Sequence, residues 1–499
     1  MRQDTPQGDG SVVLASGSVG SAGGSQAETA ALLPRLGPLG LGLSLPRPRL
    51  RVTRYAGPIA LGSLIAMTFA AVAFAAGKQS ILVPRSYLGF PLWESGPLHL
   101  IFRSLPNDYN ALDVGLSLLV PAMTVAYVVA LLAVRTLSMR AIVIAVLGLH
   151  AILLLSPPMQ LTDLFNYLGY ARLGAIHHLN PYTHGIASEL HDPVYRFASW
   201  HHLRSPYGPL FTAVSYPIAL LPLGVAYWVL KLLTVLTSLA FIGLVWRCAR
   251  LLGRDARFAL AFVALNPIYL IYAVGGFHND FFMLIPSMAA IVLLLERRDR
   301  AAGAALMFAV AVKFTAILLL PFLLIAAAPQ ARRLRIVGGA AIAAIPLAAL
   351  SVALFGLTIP NLSDQSTLLT DLSVPNLVGL AIGVGGGTPG LIRVANVALV
   401  LATIYFLRRN RDWLSGAGWS TLALVASLAW LVPWYIVWVL PLAALGSSVR
   451  LRRAAVAFTV FLVLSFLPET GILLLQNGLN PMGSAVGQAS KSLQRKLAG

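Results

Sequence analysis

One carboxylate, a few isolated cations and a set of amides and aromatic rings stand in short windows between long apolar runs. Their types suit chemistry on sugars and phosphates. Asp163 follows Pro157-Pro158 by a few residues, where an apolar run has just ended. A carboxylate there can draw a proton from an incoming hydroxyl, and such general bases contribute about 10²–10⁴-fold. The position equally suits a helix cap, since Thr162 and Asp163 both favour the start of a helix over residues 165–176. The two roles can coexist. Arg172 lies on roughly the opposite helical face from Asp163, so the spacing predicts no direct pair between them. It can hold an anion or meet lipid phosphates. His278-Asn279-Asp280, after Gly275-Gly276, offers donors and acceptors suited to sugar hydroxyls, or else a capped turn that starts the next helix. Lys313 is a solitary cation in the apolar run 309–320. It either snorkels to the interface or holds a phosphate, and Arg393 has the same two readings. Trp430, Trp434, Tyr435 and Trp438 form an interfacial belt on one reading and a sugar-stacking platform on the other. The histidines from His177 to His202 lack a His-x3-His pair on a clearly apolar helix, and Asn180-Pro181 favours a turn. Loop histidines at headgroup level, with no metal, are expected.

The elements that must position these groups are membrane helices. The chain has 499 residues, of which 58% are hydrophobic and only 11% charged, and its mean hydropathy is +0.80. That composition makes the bilayer its main solvent. Apolar stretches long enough to cross hydrocarbon recur, among them 59–76, 114–134 and 336–355. The formal charge of +19 is not a nucleic-acid signal, because the arginines cluster in short loops such as 247–257, 297–300, 332–335, 408–411 and 450–453. Cationic loops are retained on the cytoplasmic side. Alternation between those loops predicts an all-α polytopic bundle of about 11–13 transmembrane helices, with a long extracytoplasmic loop over about 159–222. Within that loop, residues 207–222 lie along the interface or re-enter, because parity forbids a full crossing. Residues 1–50 read as a disordered cytoplasmic tail. Two amino-terminal spans follow over 51–135, then a membrane module over 136–450, then a carboxyl-terminal span and tail over 451–499. The single cysteine, Cys248, excludes an intrachain disulfide framework.

Charge at a helix centre costs about 2.5–3.5 kcal/mol on insertion scales, so the ionisable residues outside the arginine loops belong at a mouth. Polar groups in a bundle also mark transport paths. A lipid flippase is therefore the main rival to an enzyme, although no inverted repeat is evident.

Several strings belong together. They are Thr162-Asp163-Leu164-Phe165-Asn166-Tyr167, then Gly174 onward to Leu179-Asn180-Pro181-Tyr182, then Tyr207-Gly208-Pro209-Leu210. With Gly275-Gly276-Phe277-His278-Asn279-Asp280, Pro433-Trp434-Tyr435 through Trp438, and Pro441-Leu442, the set covers roughly residues 110–450. It resembles the polyprenol-phosphate-mannose-dependent mannosyltransferases of the GT-C superfamily, in particular the actinobacterial α-1,6-mannosyltransferases. The resemblance implies a multi-pass protein of the inner membrane with its active site facing the extracytoplasmic side. It also implies a polyprenyl-phosphate-mannose donor, a mannan or lipomannan acceptor, and a single inverting displacement that forms α-1,6 linkages. On that footing Asp163 is the base, and Arg172, Arg204 or Lys313 holds the donor phosphate. Tyr167, Asn180, Tyr182, Tyr207, His278, Asn279, Asp280, Trp434 and Tyr435 contact sugar or acceptor. No cofactor beyond the lipid-linked donor is expected, and the other partners are membrane lipids. The loop 78–111 also carries acids, Glu94 and Asp108, which leaves two rivals for the base.

Overall fold

The computed structural model describes residues 53–499 except 84–90, 161–162, 361–362 and 410–411. The expected amino-terminal tail and Thr162 therefore lie outside the described residues. Among the described residues there is no β-strand. The first part holds α1 (Ala56–Gly77), α2 (Tyr109–Leu132) and α3 (Met139–Leu155). Asp108 caps α2 by accepting from the Asn110 and Ala111 N–H groups, and Ser138 caps α3 through the Ala141 N–H. Then come α4 (Asp163–Ala175), α5 (Pro209–Ala219), α6 (Leu223–Leu251) and α7 (Ala256–Ala264). The helices α8 (Asp280–Leu295), α9 (Asp299–Val312) and α10 (Gln330–Phe355) follow. The chain ends with α11 (Pro389–Arg409), α12 (Trp413–Ser427), α13 (Val449–Ser465), α14 (Pro468–Gln476) and α15 (Ala485–Ala498).

Five helices, α1, α2, α6, α10 and α11, are long and apolar enough to cross a membrane, and a sixth span results if α13 and α14 count as one. This is a multi-pass membrane protein. The number of full-length spans is below the expected 11–13 because several apolar helices among the described residues, α3 and α8 among them, are shorter than a full crossing. Residues 301–328 are split at Lys313, where α9 stops and 3₁₀ backbone takes over the stretch Phe314–Leu319. Residues 417–447 are split between α12 and a 3₁₀ stretch, Pro433–Trp438. These breaks place polar side chains inside the bundle while shielding the irregular backbone with protein.

The segment 159–222 contains α4, two 3₁₀ turns and α5. At about 1.5 Å per residue α5 is roughly 16 Å long, well short of the ~30 Å of hydrocarbon. It does not cross, as parity requires. The closest helix packing is between α9 and α10. A Cβ on Gly303 would stand 1.9 Å from the Ile336 carbonyl, and one on Gly339 1.9 Å from the Arg300 carbonyl. Only glycine allows that approach. A buried pair, Arg332 with Asp299, locks the arginine-rich end of the same two helices. The carboxyl terminus is helical. The residues expected as a tail form α15, which binds the loop through His202 N–H to the Leu497 carbonyl (2.9 Å) and Leu369 N–H to Ser490 Oγ (2.8 Å).

Candidate active site

The site is assembled from three breaks in the helical ladder. Asp163 is the first residue of α4, an end where the helix dipole favours a negative group. Its Oδ2 lies 3.3 Å from His278 Nδ1, within ion-pair reach but not aligned as a hydrogen bond. His278 is buried, and its ring stacks on Trp434 with centroids 3.7 Å apart and planes 10° apart. The Tyr167 hydroxyl, one turn along α4 from Asp163, accepts the Asn279 N–H at 3.2 Å. Helix α4 and the 275–280 turn are therefore joined on both sides of the carboxylate.

The second break is the turn itself. A π-helical stretch, Tyr269–Val274, ends in Gly275-Gly276, and Phe277 holds left-handed backbone at φ 53°. For a bulky residue that conformation costs of order 1–3 kcal/mol, so the surroundings must impose it. Lys231, a buried lysine of α6, packs against Phe277. Its Nζ donates to the Ser156 carbonyl at 2.5 Å, and it lies 4.7 Å from the Phe277 ring centroid and 3.9 Å from that of Trp228. Gln160, in the segment that leads into α4, also has positive φ (73°). Its N–H donates to the Leu82 carbonyl, while the neighbouring Met159 N–H donates to that of Gly275.

The third break is at Lys313. Its Nζ donates to Asp280 Oδ1 at 2.7 Å, and the same oxygen accepts Trp438 Nε1–H at 2.6 Å. Tyr435 and Trp438 present their rings to the ammonium with centroids 5.3 and 5.1 Å away. Gly208 seats α5 against this break, where a Cβ would meet the Ala311 and Val312 carbonyls at 2.3 and 2.7 Å.

These groups enclose one cavity of about 360 Å³, within the usual range for ligand sites. Asp163, Tyr167, Tyr207, Asn279, Asp280, Lys313, Trp434 and Tyr435 all line it. His278 lies behind Asp163 as its buried neighbour. Trp434 and Tyr435 thus face this cavity, and Trp438 is buried behind Asp280, so these three rings do not form a lipid-facing belt. Three buried polar atoms of lining residues have no hydrogen-bond partner among the described residues: Gln160 Nε2, Asn279 Nδ2 and Asp280 Oδ2. Buried polar groups left unpaired cost about 1–3 kcal/mol each, which a hydroxyl-rich ligand would relieve. Burial pushes the Tyr167 and Tyr207 phenols well above their ordinary value, and the Asp163 carboxylate pushes the same way. Both stay protonated.

The structure does not bring four of the expected residues to this cavity. Arg172 gives its Nε to both oxygens of Asp192 (2.8 and 3.0 Å) and Nη1 to the Ala219 carbonyl. His177 binds the same carboxylate at 2.6 Å. Burial raises Asp192, but these donors and the Val194 N–H outweigh it and hold the carboxyl below its ordinary 3.8. Arg172 is a loop strut. Arg204 is exposed away from the cavity. Asn180 closes a turn onto Phe355 and Thr358, and the Tyr182 hydroxyl donates to the Tyr207 carbonyl. The rival acids are also elsewhere: Glu94 is buried beside α6, where its carbonyl accepts from Tyr227, and Asp108 is the α2 cap. Sequence reasoning missed Gln160, Lys231, Tyr170 and Trp200. Only the isolation of Lys231 in an apolar span was a visible signal.

A carboxylate, a lysine and unpaired amides around one cavity in a helical membrane protein suit a group transfer carried out beside the bilayer. Comparison with known proteins gives that class a name, a membrane glycosyltransferase. A family model described as "Alpha-(1->6)-mannopyranosyltransferase, N-terminal domain" matches residues 61–329, and the "MptB C-terminal domain" matches 373–487. The chain is 30% identical over 356 residues to alpha-(1->6)-mannopyranosyltransferase A of Mycobacterium tuberculosis, covering 64% of this chain and 67% of that one. A protein of the same name from Corynebacterium glutamicum is 30% identical over 182 residues, 34% of this chain and 35% of its own. A probable alpha-(1->6)-mannopyranosyltransferase of Mycolicibacterium smegmatis is 26% identical over 368 residues, 62% and 66% of the two chains. No solved structure matches. The chain belongs to the α-(1→6)-mannopyranosyltransferase family.

Proposed function

We propose that the protein transfers mannose from a polyprenyl-phosphate-mannose donor to a mannan or lipomannan acceptor at the extracytoplasmic face of the inner membrane. The reaction is a single displacement with inversion that makes an α-1,6 linkage. The observation that carries this reading is the shared cavity, in which Asp163 faces the same space as Lys313 and the unpaired amides of Gln160 and Asn279.

In this scheme Asp163 takes the proton of the acceptor hydroxyl as its oxygen attacks the anomeric carbon of a β-linked mannosyl phosphate. The bond from that carbon to the phosphate oxygen breaks, and polyprenyl phosphate departs with the electron pair. His278, held flat against Trp434, keeps the carboxylate in place through the 3.3 Å contact. Lys313 spends one of its three N–H donors on Asp280, and the others suit the departing phosphate. Asn279 and Gln160 address sugar hydroxyls. The scheme calls on no cofactor and no metal.

The test is transfer from radiolabelled polyprenyl-phosphate-mannose in membranes carrying wild type or Asp163→Asn. A loss of about 10²–10⁴-fold in kcat with normal protein levels is expected. Full transfer by Asp163→Asn would remove it as the base. Movement of labelled lipid across the bilayer without transfer would replace the enzyme with a flippase.

A further inference from the structure

The reaction cavity does not end at its far wall. Thr370, Trp430, Phe466 and Gln494 line both it and a second cavity of about 420 Å³. The second cavity lies between the 369–372 segment, the elbow where α13 turns by 70° into α14, and helix α15. Asp371, Asn480 and Lys491 are polar residues that line it alone.

We propose that this second cavity is a subsite for the acceptor glycan, holding the sugar residues that precede the one whose hydroxyl reaches Asp163. The proposal rests on the glycosyl-transfer reading above. Three observations favour a neutral glycan chain. First, the two cavities join at Trp430, whose ring is braced edge-on by Trp200 with centroids 5.8 Å apart, and an indole face at a junction suits stacking by a sugar ring. Second, one carboxylate, one ammonium and two amides provide donors and acceptors with no net charge. A phosphate would face Asp371. A prenyl chain would desolvate all four groups and satisfy none of them. Third, the walls are fastened. Thr370 N–H donates to the Ala429 carbonyl, Leu431 N–H to Thr370 Oγ1, Asn376 Nδ2 to the Pro481 carbonyl, and His202 N–H to the Leu497 carbonyl. The cavity is a built groove and is at least as large as the reaction site, so it has room for as much sugar.

The consequence is a preference for longer acceptors that depends on residues outside the reaction chemistry. The experiment uses the full chain in lipid nanodiscs with polyprenyl-phosphate-mannose and two synthetic acceptors, a monomannoside and an α-1,6-trimannoside. Wild type should show a lower KM for the trimannoside. Lys491→Met and Asp371→Asn should each raise that KM about 10-fold or more, the scale of one charge-assisted hydrogen bond. Asn480→Ala should raise it severalfold. Monomannoside kinetics should stay at the wild-type level in all three, which also shows that the variants fold. Equal losses on both acceptors, or an unchanged trimannoside KM, would overturn the subsite while leaving the transferase reading intact. So would variants whose defect follows the prenyl length of the donor, because the groove would then be a lipid passage. Wild type that transfers to neither acceptor would sink the parent reading and the subsite with it.

Discussion

Lys313→Met separates the two tasks that the structure gives one ammonium. Asp280 is buried, and its Oδ1 takes both Lys313 Nζ at 2.7 Å and Trp438 Nε1–H at 2.6 Å. At that separation the direct attraction is about 6 kcal/mol for an effective dielectric near 20, much of it spent on desolvating the two charges. Removing one partner of such a pair typically destabilises by about 3–5 kcal/mol, because the other charge stays buried and unpaired. Asp280 Oδ2 already lacks a partner, which leaves little to absorb the loss. Lys313→Met should therefore unfold at markedly lower temperature in nanodiscs and lose activity. Lys313→Met with Asp280→Asn removes both charges and should regain most of the stability, with Trp438 Nε1–H now donating to the amide oxygen. If Lys313 also holds the donor phosphate, the double variant stays slow. The missing charge-assisted contact, about 1.5–3 kcal/mol, corresponds to roughly 10- to 150-fold in kcat/KM for the lipid-linked donor. Thermal unfolding and donor titration on the same preparations read the two effects separately. Wild-type kcat/KM in the double variant would refute the phosphate contact, and a fully stable single variant would refute the buried-pair argument.

His278→Ala should lower kcat more than it raises donor KM, since it removes a support of the Asp163 carboxylate and leaves the donor contacts; an effect confined to KM would contradict this. Arg172→Ala should destabilise the protein by about 1.5–3 kcal/mol by removing the charge-assisted contacts to Asp192, which keeps only His177 and the Val194 N–H, with little change in donor KM among the molecules that remain folded. Because the folded Asp192 carboxyl is held below its ordinary 3.8, its contribution to loop order is complete above that value and lost as pH falls through the lower folded value. Hydrogen exchange at Val194 and Tyr195 should accelerate only in that acid window, and Asp192→Asn should abolish the dependence. Gly208→Ala should push α5 away from the Val312 carbonyl and disable the enzyme through Lys313, which an unchanged rate in transfer assays would disprove.

The membrane class and the position of Asp163 at the end of an apolar run were legible because hydrophobicity and charge spacing act locally. The same holds for the short α5, whose status follows from counting arginine loops. Partner choice was not legible. Arg172 was expected at a phosphate because its charge was visible, whereas the carboxylate that claims it, Asp192, lies twenty residues away in a loop without a helical period. Asn180 is held by Phe355 and Thr358, some 175 residues distant, and nothing local announces that turn. Asp280 and Lys313 were each read as candidates, but their pairing depends on α9 breaking just where Gly208, the residue before α5, makes room.

Gln160 shows the harder limit. Its importance lies in a left-handed backbone and an unpaired amide, and both are imposed from outside: the Leu82 carbonyl takes its N–H while Gly275 takes that of Met159. The same holds for Phe277, whose left-handed turn is closed by its own N–H on the Val274 carbonyl and the His278 N–H on that of Ala273, with buried Lys231 against its ring. Strain of about 1–3 kcal/mol at each residue persists only where many contacts over-determine it. Here both strained residues flank one carboxylate, one on the approach to α4 and one beside His278. The bundle thus uses packing energy gathered far from Asp163 to hold the surroundings of that side chain fixed. In the proposed scheme that is the preorganisation the proton transfer to Asp163 needs, and a residue-by-residue reading of the chain has no access to it.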